Sequence, residues 1–135
     1  MEFLMYLQSF SSWALLAPRL ALGIIFLVHG KQKWGMWRAQ PSLEMSPGML
    51  NIMRFLSIME PLGAIAVISG FLTQFAALGL ALIMMGAIWF KMRVWKAGFT
   101  GVGGWELDFM NLATCILLIV VGAGSVSLDR VLFNL

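Results

Sequence analysis

The chain has 135 residues, 61% of them hydrophobic and only 11% charged, with a formal net charge of +3. Soluble domains carry about 25% charged residues, so this chain has too few charges to coat a water-soluble particle. That excludes a cytosolic enzyme, a disordered tail and a nucleic-acid module, and the basic balance reads as membrane topology rather than phosphate binding.

Residues 1–12 hold Glu2 as their only charge and lack the basic segment of a secretory signal. Phe3, Leu7 and Phe10 fall on one helical face, which predicts an interfacial segment or an extension of the first span. A spanning helix needs roughly 20 mainly apolar residues, and four stretches qualify: 13–30, 52–70, 73–91 and 106–124. Each is apolar nearly all round, as lipid-facing helices are. The expected fold is all-α, a transmembrane four-helix bundle forming a single integral membrane domain over residues 1–135. Pro41, Pro47 and Gly48 break the link between spans one and two, and a tight turn at 70–73 pairs spans two and three as a hairpin. Gly98, Gly101, Gly103 and Gly104 loosen the third link. Ser127 is placed to cap a short terminal helix, with Asp129 in its first turn.

Charge then orients the bundle. Lys31, Lys33, Arg38, Arg54, Lys91, Arg93 and Lys96 flank one side, whereas the other has only Arg130. The positive-inside rule places those seven in the cytoplasm, so the chain is expected in the inner membrane with both termini outside. Trp34, Trp37, Trp89, Trp95 and Trp105 gather at the cytoplasmic boundary, as an aromatic belt does without any ligand.

Arg19 and Glu60 are polar groups within spans. With span one centred near residues 21–22 and span two near Pro61, both fall close to the bilayer midplane on antiparallel neighbours. An unpaired charge there costs on the order of 3 kcal/mol, so an inward-facing Arg19–Glu60 ion pair is expected. Such a pair serves either as a lock on helix register or in binding and proton handling. Pro61 deprives the Ser57 carbonyl of its helical donor, leaving it for water or ligand.

A second constellation, His29, Arg54, Glu106 and Asp108, is expected at one depth by the cytoplasmic edge. Two apart, Glu106 and Asp108 cannot face the same way on a helix. Asp108, Asn111 and Cys115 follow helical spacing and should face the interior. Helix N-terminal placement also accounts for the two acids, and a neighbouring hydrogen bond accounts for His29. One histidine and one cysteine supply no metal set, no haem pair and no disulfide. Nor is there a phosphate loop or a Ser-His-Asp order. The expected site is a binding pocket between His29, Arg54 and Glu106, ringed by Trp34, Trp89 and Trp105. An apolar slot runs from it toward Met85 or Met110, where a quinone could enter from lipid.

The ordered set comprises Arg19, Gly23, Phe26-Leu27-Val28-His29-Gly30 with Lys33, then Glu60 with Gly63 and Gly70. Thr73, Ala76-Ala77, Gly103-Gly104 before Glu106, and Gly122, Gly124, Ser127-Leu128-Asp129 complete it. This order resembles the DoxX family of small bacterial and archaeal four-span membrane proteins. The resemblance implies a membrane subunit, as in a thiosulfate:quinone oxidoreductase, or an organiser of redox and stress-response proteins. The bundle is also similar to the vitamin K epoxide reductase group, whose chemistry needs cysteine pairs that Cys115 alone cannot supply. Three functions follow. The first is a membrane subunit or anchor of an oxidoreductase assembly, with a quinone or lipophilic-ligand pocket and a protein partner or second copy. The second is a small cationic-solute carrier using Glu60, which a neighbouring Arg19 would neutralise. The third is a purely structural membrane scaffold. The first is the favoured expectation.

Overall fold

The computed structural model describes residues 1–134; the chain is 74% helical, with no strand among those residues. Two short helices, α1 (Glu2–Gln8) and α2 (Ser11–Ala14), lead into α3 (Leu16–Gln32), which tightens into a 3₁₀ segment at Lys33–Trp37. Then come α4 (Pro47–Ser69), α5 (Thr73–Arg93), α6 (Glu106–Val121) and the short α7 (Leu128–Phe133).

The helix ends have local causes. Ser46 accepts a hydrogen bond from the Met49 N–H, and Pro47 supplies a ready-made first residue for α4. Gly70, at φ +69°, ends that helix in the left-handed conformation that glycine tolerates best. Leu72, which precedes α5, has no capping oxygen of its own. Asp129 reaches across instead, accepting from the N–H groups of Leu72 (2.6 Å) and Thr73 (2.9 Å). Ser127 caps α7 through the Arg130 N–H.

α3 packs on α4, α4 on α5, α5 on α6, and α3 on α6, closing a four-helix ring. Leu22, Phe26, Ala64, Val67, Leu80 and Leu118 fill its centre. Two glycines set the α3–α4 register: a Cβ on Gly23 would strike Ile68, and one on Gly30 would strike the Pro61 ring. Small residues at such contacts let helix backbones approach closely in a membrane.

Three helical stretches are long and apolar enough to cross a membrane: Ser11–Trp37, Pro47–Ser69 and Thr73–Arg93. The first exceeds the expected 13–30 at both ends, because α2 and the 3₁₀ segment continue it. α6, with 16 residues, gives about 24 Å of helix. It stops at Val121, where Gly122 at φ +83° turns the chain. Large apolar side chains such as Phe75, Ile65 and Val120 point outward, as in a bundle solvated by lipid. The α4–α5 turn and the α6–α7 link lie together at one end of the bundle, here termed the hairpin end. The links 38–46 and 94–105 lie at the opposite, loop end.

Candidate functional site

Arg19 and Glu60 are both buried, at 1% and 2% exposure, but they do not pair. Arg19 lies at the hairpin end. Its Nε donates to the Val67 carbonyl (2.9 Å), Nη2 to Ile68 (2.8 Å), and Nη1 to Ala123 (2.8 Å) and Val126. One guanidinium thus serves carbonyls at the end of α4, where Val67 also takes the Gly70 N–H, and in the irregular link after α6, as buried irregular backbone in a membrane requires. The register explains the failed pairing. With Gly23 against Ile68 and Gly30 against Pro61, the position facing Arg19 falls around residue 72. That is about twelve residues, or ~18 Å of helix, from Glu60. The longer first span also moves Arg19 away from its centre.

Glu60 faces the 3₁₀ segment instead, where Lys33 Nζ donates to its Oε2 at 2.6 Å and to the His29 carbonyl at 3.4 Å. Across from this pair, Lys91 Nζ lies 2.6 Å from Asp108 Oδ2 and donates to the Gly104 carbonyl at 3.2 Å. Both pairs border one cavity of about 630 Å³, whose polar head holds His29, Lys33, Glu60, Lys91 and Asp108. Its walls are apolar, with Met53, Leu56, Met84, Ala87 and Phe90 from α4 and α5. That volume lies within the roughly 300–1,000 Å³ of small-molecule sites, and apolar walls with a few convergent polar groups are their usual lining.

The cavity has a cause in sequence. Toward the hairpin end Gly63 receives Leu80, and α4 and α5 close on each other. Toward the loop end the cavity separates them, and Gly86 on its wall has nothing within 4 Å of where a Cβ would stand. Three rim residues, Ile52, Leu82 and Trp89, are 53%, 58% and 61% exposed. They lie on the outward faces of α4 and α5, so the mouth opens sideways, toward lipid. Pro61 does free the Ser57 carbonyl, but indoles attend to this residue: Trp34 Nε1 donates to that carbonyl (3.3 Å) and Trp37 Nε1 to Ser57 Oγ (2.9 Å). A second recess, about 440 Å³ at the hairpin end, has a mixed polar and apolar lining, and its Asp129 already caps α5.

Of the four residues expected at one site, the structure brings two to the cavity, His29 and Asp108. Arg54 lies outside its lining. It donates to the Met36 (3.0 Å) and Ala39 (3.1 Å) carbonyls and stacks on Trp37, clamping the chain after α3. Glu106 is exposed in the first turn of α6, on a different face from buried Asp108. Met84 lines the cavity, while Met85 and Met110 point outward. Of the three tryptophans expected to ring the site, Trp89 lines it, Trp34 serves Ser57, and Trp105 packs on Phe99 and Phe109. Lys33 and Lys91 are the partners that sequence reasoning counted only as loop charges. The signal for them was present: two carboxylates inside helices demand nearby cations, and Lys33 follows His29 by one helical turn.

The DoxX family model matches residues 14–93, more than half the chain and all of α3, α4 and α5. The chain belongs to the DoxX family. A Bacillus subtilis (strain 168) protein named "Putative oxidoreductase CatD" is 32% identical over 117 residues, covering 86% of this chain and 84% of that one. No solved structure matches significantly. Within this DoxX protein the matched region supplies His29, Lys33 and Glu60 at the cavity head and, near its end, Lys91. Asp108 lies beyond it.

Proposed function

We propose that this DoxX protein is a membrane component of an oxidoreductase assembly and that its lateral cavity receives a quinone or similar lipophilic ring. The cavity itself carries the proposal, being apolar along its walls, polar only at its head, and open toward lipid. A ring that partitions into the bilayer enters such a mouth without crossing the headgroup layer. The word oxidoreductase in the relative's name supports the reaction class. One cysteine and one histidine provide no redox centre in this chain, so a partner subunit delivers or takes the electrons. The Lys/Arg asymmetry supports a topology with the loop end on the cytoplasmic side of the inner membrane and both termini outside. Lys33 on Glu60 counts against a cation carrier, because a cationic solute would have to displace it.

The test is photo-crosslinking of the purified protein with an azido-quinone. Labelling is expected on peptides holding residues 49–60 and 82–91, and Gly86→Leu, which fills the cavity, should abolish it. Labelling at the hairpin end, or none above a detergent control, would overturn the quinone site. Gentle purification from the host should bring down a redox subunit.

A further inference from the structure

We propose that the cavity head is built for hydroxyl groups, and so holds the reduced, dihydroxy form of an aromatic quinone couple more tightly than the oxidised form. The inference rests on the quinone reading above. Glu60 uses Oε2 to meet Lys33, and Asp108 sets Oδ2 against Lys91. Neither Glu60 Oε1 nor Asp108 Oδ1 accepts a hydrogen bond from any described residue, although both side chains lie on the cavity wall and are nine-tenths or more buried. Lys33 gives one N–H to Glu60 and one to the His29 carbonyl; Lys91 gives one to the Gly104 carbonyl and sits 2.6 Å from Asp108 Oδ2, which accepts no hydrogen bond from any described residue. An ammonium has three N–H groups, so at least one remains on each.

Each side of the head therefore offers an acceptor beside a donor. A phenolic hydroxyl answers both at one atom, donating its O–H to the carboxylate oxygen and accepting the remaining lysine N–H. A quinone carbonyl only accepts. It can take the lysine N–H, but it sets a second electron-rich oxygen near an unpaired carboxylate oxygen and leaves that buried acceptor unmet. Leaving a buried polar group unmet costs more than a formed hydrogen bond contributes. Sites that hydrogen-bond a hydroxyl accordingly discriminate strongly against analogues that lack it.

The test compares three probes of one ring on the detergent-purified, full-length protein under anaerobic conditions: a short-tailed benzoquinone, its dithionite-reduced hydroquinone, and the dimethyl ether of that hydroquinone. Dissociation constants are read from quenching of intrinsic fluorescence, since Trp89 and Trp95 line the cavity. The hydroquinone should bind about tenfold tighter than the quinone, which raises the potential of the bound two-electron couple by ~30 mV. The ether should bind no better than the quinone. Asp108→Asn and Glu60→Gln should each narrow the ratio. Equal or tighter quinone binding, or an ether as tight as the hydroquinone, overturns this inference and leaves the quinone site standing. If none of the three binds, both fall.

Discussion

At the hairpin end, Arg19 places its donors on four carbonyls from α4 and the α6–α7 link, while Asp129 caps α5 from outside that helix. At the loop end, Glu60 and Asp108 each meet a single lysine beside a cavity and keep an oxygen over. Both ends bury charge, yet the first satisfies its groups with its own backbone and the second leaves capacity facing open space. A buried charge in a membrane protein is a functional hypothesis by default. The contrast shows what refines that default: the partners of the charge, counted atom by atom, separate a fastening from a site.

The largest effect should come from the fastening. Replacing Arg19 by Met leaves the Ile68, Ala123 and Val126 carbonyls without their donor and Val67 with only the Gly70 N–H, and at 1% exposure water does not readily replace it. A loss of about 4 kcal/mol is expected from several unmet buried acceptors, read by thermal unfolding in detergent. Arg19→Lys should recover only a minor part, because an ammonium lacks the planar fork that reaches carbonyls on several sides. Near-wild-type stability of either variant would erase the distinction between the two ends.

The next effect tests the pairing directly. Lys33→Met strands Glu60, and breaking a buried ion pair by removing one partner costs on the order of 3 kcal/mol. Adding Glu60→Met should restore much of that loss. By contrast, Arg19→Met and Glu60→Met should combine additively to within about 0.5 kcal/mol, as sites far apart do. Coupling in the second cycle, or additivity in the first, would favour the pairing expected from span centres over the one the register imposes.

The all-α fold, the α4–α5 hairpin, the Ser127 cap and the inward stripe of Asp108, Asn111 and Cys115 were legible because hydropathy and local chemistry determine them. Partners across helices were not. Choosing Lys33 over Arg19 for Glu60 depends on axial register, and register depends on where Gly23 and Gly30 let α3 settle against Ile68 and Pro61. Those glycines were visible as packing residues, but their exact opposites were not. The 3₁₀ continuation after Gln32 likewise carried Lys33 back along α4, where a plain loop would have left it in water. Arg54 misled for a related reason: polar groups at one depth need not share a face.

Glycines offer the third comparison, between close packing and open wall. Gly30→Ala should cost about 2 kcal/mol by overpacking against Pro61. Gly86→Leu adds far more volume but meets nothing nearby, so unfolding should shift by less than about 0.5 kcal/mol while quinone labelling disappears. A Gly86→Leu protein that unfolds early, or still labels, would mean that the cavity is not the open space ligand binding requires.

The smallest effect separates two acids two residues apart on α6. Glu106 is exposed in the first turn, where a carboxylate favours the helix N-terminus by a few tenths of a kcal/mol. Glu106→Gln should therefore change stability by less than about 0.5 kcal/mol and leave the hydroquinone dissociation constant unchanged. Asp108→Asn keeps the shape but removes the charge that Lys91 meets, so it should weaken hydroquinone binding in the same assay. Lys91 also holds the Gly104 carbonyl, so the link before α6 should become more susceptible to protease in Asp108→Asn but not in Glu106→Gln. Equal behaviour of the two variants would show that α6 contributes only its N-terminal charge and would move the head of the site onto Lys33, Glu60 and His29 alone.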